Sequence, residues 1–131
     1  MFDWVSPMEG VAYFLFRVIA GLLFASHGAQ KLFGLFGGQK VALLSLLGGA
    51  GVIELVAGVC IAVGLFIRPL ALLSVVTMIV AYVMVHAPKG WIPIENGGEL
   101  ALLYFVTFLV IASRKTHDFD ANALMKMLKG H

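Results

Sequence analysis

The chain has 131 residues, of which 61% are hydrophobic and 12% are charged, and its formal net charge is +2. Soluble domains hold roughly 45–50% apolar and 25% charged residues, so these proportions exclude a soluble domain, and the small net charge gives no support for a nucleic-acid partner. Cys60 is the single cysteine, which excludes an internal disulfide, a CxxC pair and a cysteine-ligated cluster.

The first long apolar block predicts a spanning helix at about residues 11–33, after a short polar lead that contains Pro7. A block of about 20 apolar residues matches the hydrocarbon thickness of a bilayer. Asp3 and Glu9 are acidic, and no small-residue cleavage site follows a short apolar core. We therefore expect the block to stay in the protein as a helix rather than to be removed as a signal peptide.

The segment after this helix is a glycine-rich turn at residues 34–40, followed by a short apolar stretch at residues 41–47. The apolar stretch ends at Gly48 and Gly49, which makes it too short to span a bilayer. It predicts a short interfacial or re-entrant helix on the outer side of the membrane.

Three further apolar blocks predict spanning helices at about residues 50–67, 69–86 and 98–113. Arg68 and Pro69 separate the first two, because proline restricts the residue before it and suits the first turn of a new helix. The last block is short for a span, so either its ends lie near the interface or the bilayer thins there. These blocks predict an all-α polytopic membrane protein whose residues 1–113 form a four-transmembrane-helix bundle.

Residues 114–131 are polar and predict an amphipathic C-terminal tail. One side of this stretch is apolar: Phe119, Ala123, Leu124, Met127 and Leu128. A helix on the membrane surface and a poorly ordered tail both fit this pattern.

The basic residues predict the orientation of the bundle, because cytoplasmic loops are enriched in Lys and Arg. With four spans, the side with both termini holds Arg17, Arg68, Arg114, Lys115, Lys126 and Lys129. The opposite side holds Lys31, Lys40 and Lys89. Both termini and the tail are therefore expected in the cytoplasm.

Ionisable residues inside spans are costly, so they usually pair, face the bundle interior or line a functional pocket. Because neighbouring helices alternate in direction, several of these residues should lie at similar depth below the outer surface. The predicted outer cluster is His27, Gln30, Lys31, Glu54, His86 and Glu99. Arg17 and Arg68 should lie near the inner side, as structural charges or as lipid-facing charges.

Each member of the predicted cluster also has a structural interpretation. Glu54 should pair with Lys31 or His27, and such a pair could serve only to fix helix packing. Asn96 and Glu99 resemble a capping box at the start of the fourth helix. Two histidines in different spans could in principle ligate a haem, or a metal together with the carboxylates, but no dedicated motif supports either cofactor.

The sequence resembles one known family at three places. The stretch Arg17–Gly34, with its run His27-Gly-Ala-Gln-Lys31, is similar to the first helix of the DoxX family. Glu54–Gly58 with Gly64–Pro69 resembles the second helix and turn of that family, and Asn96–Tyr104 resembles the start of its fourth helix. This resemblance to the DoxX/DoxD-like small integral membrane proteins extends to about Phe119. It implies a four-helix protein of the bacterial inner membrane, related to DoxD, a subunit associated with thiosulfate:quinone oxidoreduction.

The cluster and the resemblance together predict a membrane subunit of a redox system that handles a quinone or a small sulfur compound near the outer face. His27 and Glu54 are the expected catalytic residues, and Gln30, Lys31, His86 and Glu99 are the expected substrate-binding residues. Whether the chain is itself an enzyme stays open, as do protein partners in a membrane redox complex and a homo-oligomer. A non-enzymatic scaffold or assembly partner is the alternative. A small transporter fits less well, because the inverted repeats and broken helices that mark many transporters are not evident.

Overall fold

The structure, a computed structural model, describes residues 3–117 and 120–130, which form helices, turns and loops without a strand. The α-helices are α1 (Glu9–Phe33), α2 (Leu46–Val63), α3 (Ile67–Ala81), α4 (Pro93–Asn96), α5 (Glu99–Ser113) and α6 (Ala121–Lys129). A 3-10 turn, Ser6–Met8, precedes α1, and α3 continues through a π-helical turn, Tyr82–His86, and a 3-10 turn, Ala87–Lys89. The predicted all-helical character is confirmed.

Three continuous helices in the described part of the chain are long and apolar enough to cross a membrane: Ser6–Phe33, Leu46–Val63 and Ile67–Lys89. The fourth apolar helix, α5, has 15 residues and therefore spans only about 22 Å at 1.5 Å per residue. Large apolar side chains cover the outside of the bundle, including Leu22, Val56, Val76 and Val106. In water such a surface would be strongly disfavoured. It is the surface expected of a protein that contacts lipid.

Local chemistry sets the start of α2 and corrects one prediction. Residues 34–45 contain no helix, so the short helix predicted at residues 41–47 is wrong. The Ser45 hydroxyl oxygen accepts a hydrogen bond from the Gly48 amide at 3.0 Å, which caps the helix that begins at Leu46. Gly48 and Gly49 thus lie inside α2 rather than before it. Gly48 is required for space, because a Cβ there would collide with the carbonyl oxygens of the preceding loop.

The other helix boundaries also differ from the sequence-based expectation. α2 ends at Val63, where Gly64 adopts a left-handed conformation with φ 86° and its amide bonds back to the helix. α3 begins at Ile67, two residues before Pro69, so the proline occupies the first turn as its chemistry favours. The π-helical turn after Ala81 was not predicted.

Small residues allow α1 and α2 to pack closely along their length. A Cβ on Gly21 would lie 2.6 Å from the Gly58 carbonyl oxygen, and a Cβ on Gly58 would lie 2.5 Å from the Gly21 carbonyl oxygen. Gly28 faces Gly51 and Leu55 in the same way. Close backbone approach through small residues is a common way for helices to associate in membranes. This pair of helices forms one half of the bundle.

The other half is the antiparallel pair α3 and α5. Aromatic rings join the two halves: the Phe24 ring lies 4.5 Å from that of Phe108 and 5.1 Å from that of Tyr104, measured between centroids.

Because the helices alternate in direction, the end of α1 and the start of α2 meet the end of α3 and the start of α5. We call this the outer end, after the predicted orientation, and the opposite end, with the start of α1 and the end of α5, the inner end.

The described part of the C-terminal tail is helical. The Asp120 carboxylate accepts a hydrogen bond from the Asn122 amide at 2.7 Å and caps α6. Leu124, Met127 and Leu128 are exposed on it. Phe119, which was predicted to belong to the apolar side, and the side chain of Ala123 lie outside the described residues.

Candidate functional site

A cavity of about 250 Å³, which we call the outer cavity, lies between the two halves of the bundle near the outer end. Its wall combines titratable and apolar side chains: His27, Lys31, Glu54, Met78, Ala81, His86, Gly97, Leu100, Ala101 and Tyr104. Every one of the four long helical segments contributes, which places residues far apart in sequence around one space. The volume is slightly below the 300–1,000 Å³ that is typical of pockets for drug-sized ligands. The cavity therefore suits a single ring or a small polar group.

An ion pair between α1 and α2 forms one wall of the cavity. Lys31 Nζ lies 2.5 Å from Glu54 Oε1 and donates a hydrogen bond to it. The Glu54 side chain is 4% exposed, whereas that of Lys31 is 28% exposed. A buried carboxylate requires such a partner, because an unpaired charge inside a protein or bilayer is strongly disfavoured.

The second carboxylate oxygen, Glu54 Oε2, is buried and has no hydrogen-bond partner among the described residues. Most buried polar atoms in proteins are satisfied, and an exception calls for an explanation. The same residue is one of those that line the cavity.

His27 and Tyr104 contribute polar aromatic groups from α1 and α5. Their ring centroids lie 5.8 Å apart and the rings are nearly perpendicular, at 85°. Tyr104 also stacks on Phe108, at 5.8 Å and 13°, which fixes the plane of the tyrosine ring. Both residues are therefore held by packing on the apolar core below the cavity.

The segment between α3 and α5 contributes His86 and Gly97 to the cavity wall and is organised by Asn96, which is 2% exposed. Its side-chain amide donates to the Gly90 carbonyl at 2.7 Å and to the Tyr82 hydroxyl at 3.1 Å, and its side-chain oxygen accepts from the Gly98 amide at 2.7 Å. His86 Nδ1 donates to the Asn96 carbonyl at 3.2 Å. The π-helical turn carries both Tyr82 and His86, and such turns are frequent at functional sites.

Two members of the predicted cluster do not line the cavity. Gln30 points toward the following loop, where its amide donates to the Phe36 carbonyl at 3.2 Å. Glu99 is exposed at the start of α5, in a separate surface pocket with Pro93 and Ile94. The structure thus brings together His27, Lys31, Glu54 and His86, and leaves Gln30 and Glu99 outside.

The predicted capping box is wrong. The residue before α5 is Gly98, which has no side chain to cap the helix, and Asn96 bonds within its own loop instead. The hydrogen bonds by which Asn96 holds Tyr82 and the loop beside the cavity were not predicted from the sequence. Tyr104 was also missed as a lining residue, although a hydroxyl in an otherwise apolar span is a signal that could have found it.

The two predicted inner charges behave differently from each other. Arg17 is 0% exposed and its guanidinium lies 5.6 Å from the Phe14 ring centroid, so the lipid-facing alternative is wrong for Arg17. Arg68 is exposed and its Nε donates to the Ala112 carbonyl at the end of α5, at 3.1 Å. A cation at a helix C-terminus is electrostatically favourable.

A second group of polar side chains lies at the inner end, where the segment after α5 contacts the start of α1. The Tyr13 hydroxyl and His117 Nδ1 are 2.7 Å apart, and their rings stack at 5.7 Å. The Arg114 guanidinium lies 3.9 Å over the Tyr13 ring. Burial lowers the pKa of His117, and the charges of Arg17, Arg114 and Arg68 lower it further, against an opposing effect of Asp120. These contacts fix the C-terminal segment to the start of α1.

The described residues contain no group of three or more His, Cys, Asp or Glu side chains arranged to hold a metal ion.

Comparisons with known proteins agree with the membrane architecture. The family model DoxX matches residues 12–87, which include His27, Lys31, Glu54 and His86. An uncharacterized protein of Haemophilus influenzae is 41% identical, over 74% of this chain and 79% of that relative. No solved structure matches the chain.

Proposed function

The chain belongs to the DoxX family of membrane proteins, and from this premise we propose that it is the membrane subunit of a redox system. Its ligand is the polar head of a quinone or a small sulfur compound, bound in the outer cavity. The bilayer in question is the bacterial inner membrane, with both termini in the cytoplasm. The distribution of Lys and Arg supports that orientation.

The observation that carries the proposal is the arrangement of Lys31 and Glu54 at the cavity. Lys31 holds one carboxylate oxygen, and the other is buried without a partner among the described residues. A ligand hydroxyl that donates to Glu54 Oε2 would satisfy this atom. A ligand carbonyl or anionic oxygen would accept from the part-exposed Lys31 ammonium.

Proton transfer is the chemistry that these side chains can supply. Reduction of a quinone to a quinol consumes two electrons and two protons. In this proposal the electrons come from a reduced cofactor of a partner subunit, and the protons pass through His27 and Glu54. Histidine and a carboxylate within reach of one cavity suit general acid–base work. Tyr104 and His86 position the ligand from the opposite wall.

The test is mass spectrometry of small molecules that co-purify with the protein in mild detergent. We expect a quinone with the wild type and its loss in His27→Ala and in Glu54→Gln. Glu99→Gln is the matched control, because it removes an outer carboxylate that lies outside the cavity. Retention of the molecule by both cavity variants would contradict the proposal.

A scaffold or assembly partner is the second candidate. It is favoured by the large apolar side chains exposed on the outer loop, where Trp91 is 73% and Ile94 is 77% exposed. This function predicts that the same partner proteins co-purify with wild type, His27→Ala and Glu54→Gln, and that a Trp91→Ala, Ile94→Ala double variant loses them.

A further inference from the structure

A second and larger cavity, a groove of about 570 Å³, lies between α2 and α3 beside the outer cavity. Its α3 side is a stripe of apolar residues that includes Leu73, Val76 and Val80, all exposed on the outside of the bundle. Thr77 also lines the groove, but its hydroxyl already donates its hydrogen to the Leu73 carbonyl at 2.8 Å. In a membrane, this groove opens toward the lipid chains.

The groove and the outer cavity adjoin, because Lys31 and Ala81 line both of them. Lys31 is the charged residue of the groove wall, and it stands at the boundary where its ammonium pairs with Glu54. Ala81, the other shared residue, has a small side chain. One end of this joint space is therefore polar, and the other end is apolar.

We propose that the ligand is a membrane-dissolved amphiphile that reaches the site sideways, between α2 and α3. Its polar ring lies in the outer cavity against Lys31 and Glu54, and its single apolar chain lies in the groove. This inference rests on the proposed function and deepens it. Of the two ligand classes proposed there, the joint space takes the lipid-borne quinone and not a water-soluble sulfur compound.

The volumes and the lining of the two spaces support the placement of the ring in the outer cavity and of the chain in the groove. The outer cavity, about 250 Å³, holds a head group but not a long chain, whereas the groove, about 570 Å³, falls within the range of ligand-sized pockets. Apolar chains are as well solvated by lipid as by the groove wall. The groove therefore acts by giving the chain a place to lie while the head is bound, and not by adding hydrophobic affinity.

The consequence is steric and can be tested by filling the groove. Val80 lines the groove and not the outer cavity. A Val80→Phe variant narrows the space for the chain and leaves the head-group site intact. Leu72→Phe is the matched control, because Leu72 is exposed on the same helix outside both cavities.

The experiment measures equilibrium binding of two dimethoxy-methyl-benzoquinones to the purified protein in lipid nanodiscs, one with a ten-carbon chain and one without a chain. We expect Val80→Phe to weaken binding of the chain-bearing quinone by roughly tenfold and to leave the chainless quinone within about twofold of wild type. Leu72→Phe should change neither, and His27→Ala should weaken both.

The outcomes separate the two proposals. If Val80→Phe weakens neither quinone, or weakens both equally, while His27→Ala weakens both, then the groove proposal is wrong and the head-group site stands. A bilayer phospholipid retained by wild type and lost in Val80→Phe, with unchanged quinone binding, would also overturn the groove proposal. If wild type binds neither quinone, then both the quinone function and the groove proposal fall.

Discussion

The two ends of the bundle hold buried charge in different ways. At the outer end, the ion pair of Lys31 and Glu54 lines a cavity between the two halves of the bundle. At the inner end, Arg17 is buried and its charge acts on His117, whose ring contacts the Tyr13 hydroxyl, so side chains from both chain segments pack together. On the function proposed above, the outer charges serve a ligand, whereas the contacts at the inner end fix the C-terminal segment to α1.

The largest expected effect breaks the outer ion pair. Lys31→Met leaves Glu54 buried without its cation, which should lower the free energy of unfolding by about 3 kcal/mol. Denaturation by SDS in mild-detergent micelles measures this. Lys40→Met is the control, because Lys40 is exposed on the outer loop. The double variant Lys31→Met, Glu54→Gln should regain much of the loss, and an equally unstable double variant would argue against the pairing.

The next largest effect concerns Asn96, which organises the loop beside the outer cavity. Asn96→Ala removes three side-chain hydrogen bonds and leaves the buried Gly98 amide with only its longer bond, 3.2 Å to the Pro93 carbonyl. We expect a loss of about 2 kcal/mol in the same unfolding measurement. Glu95→Ala, at an exposed neighbour, should cost less than about 0.5 kcal/mol. Similar values for the two variants would show that Asn96 does not organise the loop.

A pH titration sharpens the description of the inner end. Because the pKa of His117 is lowered by burial, the neutral ring is favoured when the segment is bound to α1. The contribution of His117 to this contact is complete above its ordinary pKa of about 6.5 and is lost as the pH falls through the lowered pKa. Hydrogen exchange of residues 114–117 should therefore quicken, relative to the intrinsic rate, as the solution becomes acidic.

His117→Phe is the matched control for this titration, since it keeps an aromatic ring against Tyr13 without a titratable group. Its protection should be independent of pH over the same range. A wild type whose protection is equally independent of pH would contradict the assignment.

The smallest effect is expected at the rim of the inner end. Arg114 lies 3.6 Å from Glu9, whose side chain is 77% exposed. An exposed pair of this kind contributes about 0–1 kcal/mol and is screened by salt. Glu9→Gln should therefore leave the unfolding free energy nearly unchanged, and a large loss would mean that this pair is part of the inner contact.

The sequence predicts most of the fold because apolar block length and glycine spacing are local signals. Gly21 with Ala25, and Gly58 with Ala62, are small residues one turn apart that favour close helix approach, and in the structure Gly21 and Gly58 lie against each other where α1 packs on α2. The start of α2 was mispredicted because Gly48 and Gly49 favour a break, whereas the Ser45 cap and the need for space at Gly48 determine the outcome.

The site was predictable only in part, for a related reason. Alternating helix direction gives the depth of a residue, which is why His27, Lys31, Glu54 and His86 were grouped correctly around one space. Depth does not give the direction of a side chain around its helix, so Gln30 and Glu99 were included although they point elsewhere. Contacts made through loop backbone, such as those of Asn96, leave no periodic signal.

The central claim is that the ligand binds at the outer end and not at the inner end. Its most direct test compares one outer variant with one inner variant in a single binding experiment. Calorimetric titration of the protein in nanodiscs with a short-chain quinone should give unchanged binding for Tyr13→Phe, which removes the hydroxyl contact to His117, and clearly weakened binding for His27→Ala, relative to wild type. Loss of binding in Tyr13→Phe with full binding in His27→Ala would contradict the account and move the ligand site to the inner end.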